Sequence, residues 1–316
     1  MTGIRVGKWS VCLPKNRVSN HQLSLTVDTT DEWIVKRTGI ESRYIATQGE
    51  NTLSLSIQVA RSLVQQNPEL RDQLGLVIVA TSTPWQLMPS TASGVHSALS
   101  LSKSTGAFDV NAACSGFVSA FNTACDFVRL HQKPVMLIGS ETMSQVLDWD
   151  DRSTCVLFGD GAAGVIIHPG SATVYQTIGC DGKYHESLMT TPGHFKRDCS
   201  SIHMSGKDIF KQAVSCLVNV VKTLCDQANI APQELSLLVP HQANKRILLQ
   251  ASQQLDMSTD SVIMTINQHA NTSSASVPLA MHEALKTRSL KDGDWILLCA
   301  FGAGFSWAGS LYQHVV

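Results

Sequence analysis

Cys114 is the residue of this chain best placed for nucleophilic chemistry. It lies in FDVNAACSGFVSAFNTACDFV, where a β-leaning run enters and an apolar helical run leaves. Its neighbours Ala112, Ala113, Ser115 and Gly116 are small enough for a tight turn and for close approach of a substrate. A thiol at a helix N-terminus feels the positive end of the helix dipole, which lowers its pKa and favours thiolate. Thiolate is the species that attacks a thioester. The competing reading is a buried structural cysteine, the usual fate of a free thiol, and Cys125 on the same expected helix is read that way.

Two of the eleven histidines fall at junctions of interest, His241 in VPHQAN and His269 in NQHANTSSAS. VPHQAN ends an apolar strand and opens a helix, so His241 should be within reach of a ligand. Asn271 precedes a Thr/Ser run that reads as a helix start. Neutral imidazole plus amide is an uncharged donor pair suited to an enolate oxygen, where charge develops when a malonyl group loses CO₂. Asn271-Thr272-Ser273 also matches a glycosylation sequon. With no apolar h-region in MTGIRVGKWSVCLPKNRVS, no secretory signal is expected and the sequon is set aside.

Two glycine clusters call for separate readings. Residues 159–164, GDGAAG, fit G-x-G-x-x-G after TCVLF, but a dinucleotide site must then open a helix. Here VIIHPG follows, so a tight hairpin is expected instead of nucleotide binding. Phe301-Gly302-Ala303-Gly304-Phe305 follows the strand-like WILLCA and has no P-loop lysine. Backbone N–H groups beside a reacting carbonyl are the better use for it.

The elements that must carry these residues alternate. Strands are expected at Leu76–Ala80, Ala107–Asn111, Val135–Gly139, Cys155–Phe158, Gly164–His168, Leu235–Val239, Val262–Thr265 and Trp295–Ala300. Helices are expected at Thr52–Gln66, Ser115–His131, Gly206–Ala228 and Ser274–Lys286. This is an α/β chain with buried strands. The order of elements shows a weak internal duplication, residues 1–170 against 171–316, that places Cys114 and Asn271 at corresponding strand-to-helix junctions. Carboxyl ends of buried strands are where α/β folds place their sites.

Composition narrows the class further. Charged residues are 16% of 316, against a usual value of about 25%, which argues for extra buried area at a subunit interface. A formal net charge of -1 without like-charge blocks argues against nucleic-acid binding. The nine cysteines are odd in number, scattered and without a CxxC, as suits reduced thiols in a cytoplasm and neither disulfides nor zinc. The apolar runs are far shorter than the roughly 20 residues of a membrane span.

Taken together, DTTDEWIVKRTGIESRYIA, FDVNAACSGF, DDRSTCVLFGDGAA, VPHQANKRI, NQHANTSSASVPLA and AFGAGFSWAGS resemble β-ketoacyl-acyl carrier protein synthase III over the whole chain. The resemblance implies a thiolase fold, five layers αβαβα built from two similar halves, and a homodimer. It implies that Cys114 takes an acyl group from acyl-CoA and that malonyl-acyl carrier protein is decarboxylated beside His241 and Asn271. The product would be a 3-oxoacyl carrier protein, the start of fatty acid synthesis, with no cofactor beyond the CoA thioester substrate. By motif, the amides of Cys114 and Ala303 would form an oxyanion hole. Trp33, Arg37, Arg152 and Asn244 would hold CoA, Arg246 and Lys211 would dock the acidic carrier, and Met88 would reach the partner's acyl pocket. The family usually has glycine where Ala303 stands, and a methyl there could narrow the cavity. Relatives with the same three residues serve in secondary metabolism or in making a biotin precursor. A plant-type polyketide synthase relative using malonyl-CoA, and a non-catalytic acyl-binding protein of the same fold, are the alternatives.

Overall fold

The computed structural model describes residues 3–191 and 202–315, with the backbone alone for 207 and 208. Two mixed sheets carry the molecule. The first contains β1 (Gly3–Cys12), β2 (Leu76–Ala80), β3 (Gly106–Val110), β4 (Val135–Thr142) and β5 (Asp160–Gly170), in the order β1-β5-β4-β2-β3. The second contains β6 (Val174–Cys180), β7 (Leu235–Pro240), β8 (Trp295–Gly302) and β9 (Ser306–Gln313), in the order β7-β8-β9-β6. Each sheet is parallel at one end, β4 with β2 and β2 with β3 in the first and β7 with β8 in the second, and antiparallel in its remaining pairs.

Strand periodicity explains the layering. In β4, Val135 and Leu137 face one core while Met136 and Ile138 face another, so both sheet faces are covered. Helices α2 (Thr52–Gln66) and α3 (Thr91–Leu99) cover the outer face of the first sheet. Helices α5 (Gly206–Ala228) and α6 (Lys245–Gln254) cover the outer face of the second. Between the sheets lie α4 (Gly116–His131) and α7 (Ser276–Thr287), whose apolar residues share one core with strands of both. The layers therefore run αβαβα, as the resemblance implies. Helix α1 (Asp31–Thr38), capped by the Thr30 side chain and closed by Gly39 at φ 79°, lies outside them. No helix among the described residues is long and apolar enough to cross a membrane.

Three sequence expectations need correction. Cys155–Phe158 is not a strand: Asp151 accepts from the amides of Thr154 and Cys155, winding this run into turns. The Arg43 guanidinium caps the Val156 carbonyl at 3.0 Å, and Phe158 makes one parallel bridge to Asn271. Val262–Thr265 is reduced to a single bridge between Val262 and Leu238. The Gln242 side chain takes the ladder's place, donating to the Ile263 carbonyl at 3.0 Å and accepting the Thr265 amide at 2.8 Å. The glycine run at 159–164 is no hairpin, since Asp160–Gly170 is one continuous strand. Its glycines serve close packing: a Cβ at Gly164 would meet the Leu137 carbonyl oxygen at 2.6 Å.

The Gly164→Ala variant should lose about 1–3 kcal/mol of stability by overpacking. Gly182→Ala, where nothing lies within 4 Å of the new methyl, should change it by less than about 0.5 kcal/mol. Urea unfolding of the two variants measures the difference.

Candidate active site

Cys114 stands in a 3₁₀ turn, Ala113–Ser115, that leads directly into α4. Ala113 holds the left-handed conformation at φ 47°, which turns the chain sharply between β3 and the helix. The end of β8 presses against this turn. A Cβ at Gly302 would come within 2.7 Å of the Cys114 nitrogen, so only glycine permits the approach.

Asn271 occupies the matching junction in the second half. Asn271 Oδ1 accepts the Ser273 amide at 2.8 Å, and Asn111 Oδ1 accepts the Ala113 amide at 3.2 Å. Ser273 at φ 48° matches Ala113, and a 3₁₀ turn Ser273–Ala275 leads into α7. The repeat thus aligns Asn271 with Asn111, three residues before Cys114, and aligns Cys114 with Ser274. The Asn271 backbone is tied to the 157–159 loop, its amide donating to the Leu157 carbonyl at 2.9 Å. With Oδ1 engaged, Nδ2 is the end of the side chain left to donate.

His241 follows β7, its amide bonded to the Cys299 carbonyl at 2.8 Å. Its Nδ1 lies 2.6 Å from Ser276 Oγ, and its ring meets the edge of Phe301 with centroids 5.4 Å apart. All three side chains are at most 7% exposed and line one cavity of about 640 Å³. The cavity runs from them to exposed Arg37, Ser153 and Arg246, where it opens to solvent.

Burial sets the charges. It pushes the Cys114 thiol up to about 12, against a hydrogen bond from Ser273 that favours thiolate. Desolvation is the larger of these two effects, and it favours a thiol as the resting form of the sulfur. Burial also holds His241 down at about 3, so its imidazole is neutral at physiological pH.

The remaining candidates separate. Trp33, Arg37, Asn244, Arg246 and Ala303 line the cavity. Arg37 and Arg152 bring their guanidinium carbons to 4.9 and 5.5 Å from the Trp33 ring centroid, and Arg152 is held by the Asp28 carbonyl at 2.8 Å. Arg152 reaches the site only through that ring. The Asn244 amide spans the mouth, donating to the Arg37 carbonyl at 3.0 Å and accepting the Arg246 amide at 2.9 Å. Lys211 is exposed on α5 and Met88 is 81% exposed before α3; neither lines the cavity. His269 is buried away from it, held neutral at about 4 by desolvation, and Cys125 packs in the central core. Cys199 lies outside the described residues. Sequence reasoning missed Ser273, Ser276, Gln242 and Glu141. The density of hydroxyls in NTSSAS was the one available signal. Among the described residues, no group of three or more His, Cys, Asp or Glu could hold a metal ion.

His168, His241 and His269 are held neutral at about 4, 3 and 4, against 6.5 for an unperturbed imidazole. The unfolded chain therefore binds more protons below pH 6.5, and stability falls as pH drops through that window. Asp160, raised to about 6 by burial, acts in the opposite direction, but it is one group against three. The urea midpoint should fall between pH 7 and pH 5, as denaturation in matched buffers would register.

Comparison with known proteins gives a consistent picture. Residues 108–182 match the family model of 3-oxoacyl-(acyl-carrier-protein) synthase III, and residues 225–314 match the model of that family's C-terminal part. The β-ketoacyl-(acyl-carrier-protein) synthase III of Rhizorhabdus wittichii is 40% identical over 308 residues, 96% of each chain. The crystal structure of 3-oxoacyl-(acyl-carrier-protein) synthase III from Aquifex aeolicus superimposes with a TM-score of 0.93 at 37% identity, covering 99% of this chain and 100% of that one. The priming β-ketosynthase of the R1128 polyketide pathway superimposes at 0.92 with 30% identity, covering 99% and 96%.

Proposed function

This chain belongs to the 3-oxoacyl-(acyl-carrier-protein) synthase III family, and from that premise we propose how its own residues perform the family's reaction. The enzyme is an acyltransferase. It condenses an acyl-CoA primer with malonyl-acyl carrier protein, releasing CO₂ and free CoA and giving the 3-oxoacyl carrier protein that initiates fatty acid synthesis.

In our reading Cys114 Sγ attacks the acyl-CoA thioester. The new oxyanion is met by the amides of Cys114 and Ala303, a reading supported by the close packing of Gly302, the residue before Ala303, against the Cys114 nitrogen. The CoA thiol leaves and the acyl group stays on sulfur. Because the free thiol is neutral, it gives its proton to solvent as the thioester arrives, and the departing CoA thiolate takes one up to leave as the thiol. The N-terminus of α4 and the Ser273 hydroxyl both favour the developing thiolate.

The malonyl thioester then enters the same cavity. As its carboxylate leaves, negative charge moves to the thioester oxygen, where His241 and Asn271 Nδ2 donate. Both donors are neutral and buried, so they meet the oxygen in a largely desolvated setting. The α-carbon attacks the acyl-cysteine, and Cys114 leaves as thiolate. The observation that carries this reading is the convergence of Cys114, His241 and Asn271 on one cavity.

The mouth suits the two carriers. Trp33 offers a face for the adenine of CoA, with Arg37 and Arg152 beside it for phosphates. Asn244 fixes the two walls of the entrance through its own hydrogen bonds. Arg246 and Lys211, both exposed, supply positive charge for an acidic carrier protein. The eight described cysteines carry no disulfide, which supports a cytoplasmic location.

The active form in this reading is a homodimer. Strand β3 is an open sheet edge, with Phe108 on it 40% exposed. Trp85, Leu87 and Met88 expose apolar surface on the loop before α3. Such an edge and patch invite pairing with a second copy, and Met88 would then reach the partner's acyl pocket.

Incubation with acyl-CoA should add one acyl mass to the wild type and none to Cys114→Ala, and condensation should fall by about 10³-fold or more in the variant. Equal labelling by mass spectrometry would remove the assignment. His241→Ala should still acylate but release CO₂ from malonyl thioester about 10²-fold more slowly. Phe108→Asp should convert the dimer to a monomer in sedimentation velocity, because burying an unpaired carboxylate at the edge opposes pairing.

A further inference from the structure

The short contact between His241 and Ser276 decides where the imidazole proton resides. Ser276 is the first residue of α7 and is buried. Its oxygen lies 2.6 Å from His241 Nδ1 and accepts the Gln242 amide at 3.3 Å. Two arrangements satisfy the short contact: Nδ1–H donates to the hydroxyl, or the hydroxyl donates to Nδ1.

The first leaves the Ser276 proton unplaced. Its partners are an imidazole nitrogen, which would already be donating, and an amide N–H, which is a donor only. An unsatisfied buried hydroxyl of this kind costs about 1–3 kcal/mol. The second satisfies every group, with Oγ accepting from Gln242 and the hydroxyl proton going to Nδ1. A neutral ring whose Nδ1 accepts carries its proton on Nε2. The Gln242 amide cannot easily turn away, because its side chain is held by the Pro240 and Ile263 carbonyls and the Thr265 amide.

We propose that Ser276 is a positioning residue that locks His241 in the Nε2–H tautomer, making it a hydrogen-bond donor to the cavity and not an acceptor of the Cys114 proton. The proposal deepens the function above and rests on it for its kinetic meaning. One consequence is a division of labour. Acyl transfer to Cys114 is independent of the Ser276–His241 pair, whereas decarboxylation, which needs a donor at the thioester oxygen, depends on it.

Nitrogen NMR of the ¹⁵N-histidine-labelled wild type tests the tautomer without any variant in the measured sample. The His241 signals, identified by their loss in His241→Ala, should show Nε2 protonated and Nδ1 unprotonated near pH 7. A protonated Nδ1 overturns the proposal. Kinetics supply the second arm. Ser276→Ala should release CO₂ from malonyl thioester at least about ten-fold more slowly while acylating Cys114 within about two-fold of the wild-type rate. Ser276→Thr, which keeps the hydroxyl, should recover most of the loss. Unchanged CO₂ release in Ser276→Ala, or an equal fall of both half-reactions in the Ala and Thr variants, overturns it. Failure of the wild type itself to release CO₂ would instead remove the proposed function, and the NMR result would still decide the tautomer.

Discussion

Glu141, at the end of β4, has no exposure, and its carboxylate is met entirely by donors. Thr81, Ser82 and Thr83, following β2, give it hydroxyl bonds and the amides of Ser82 and Thr83. Ser274 gives it a hydroxyl bond of 2.8 Å from the other half of the molecule. A buried acidic group left without such partners is strongly destabilising, so the loop after β2 and the turn before α7 must both come to this point. That requirement registers the two halves against each other. Ser274 is also the residue that the internal repeat aligns with Cys114. Where one half presents its nucleophile, the other presents the hydroxyl that closes the junction.

From that anchor the six residues Asn271–Ser276 reach the candidate site: Asn271 lines the cavity, Ser273 bonds the Cys114 sulfur, and Ser276 meets His241. A single short turn thus sets the spacing of groups drawn from β3–α4 and β7–α6. Its own backbone is fixed by the bridge to Phe158 and by the Asn271 amide on the Leu157 carbonyl. The turns at 151–158, which include the Cys155–Phe158 run read from sequence as a strand, are in this way part of what holds the site rigid.

The electrostatic character of the centre follows from burial. A desolvated imidazole held at about 3 cannot carry charge at neutral pH, and a desolvated thiol pushed to about 12 does not ionise unaided. The buried end of the cavity, around Cys114, His241 and Asn271, is therefore neutral at rest and acquires charge only as substrate does. Fixed neutral donors are suited to stabilising an enolate that exists for an instant, because they need no reorganisation when it forms. The cationic groups Arg37, Arg152 and Arg246 are all exposed, toward the mouth where charged carriers would bind.

Much of this was legible in the residues. The alternation of apolar runs with helical patterns determined the α/β class and most strand positions, because buried parallel strands leave a continuous Val/Ile/Leu signature. Small residues around Cys114 and the polar ends of VPHQAN and NQHANTSSAS marked the site, because a catalytic group must leave an apolar strand where substrate can reach it. Sequence could not decide that Val262–Thr265 would surrender its ladder to the Gln242 amide, or that GDGAAG would run straight through a sheet. Strand partners and side-chain substitutes for them lie far off in the chain. Nor could it decide the sulfur's resting state. A helix dipole is local and readable from order alone, whereas desolvation is set by residues from both halves that meet only when the chain has folded.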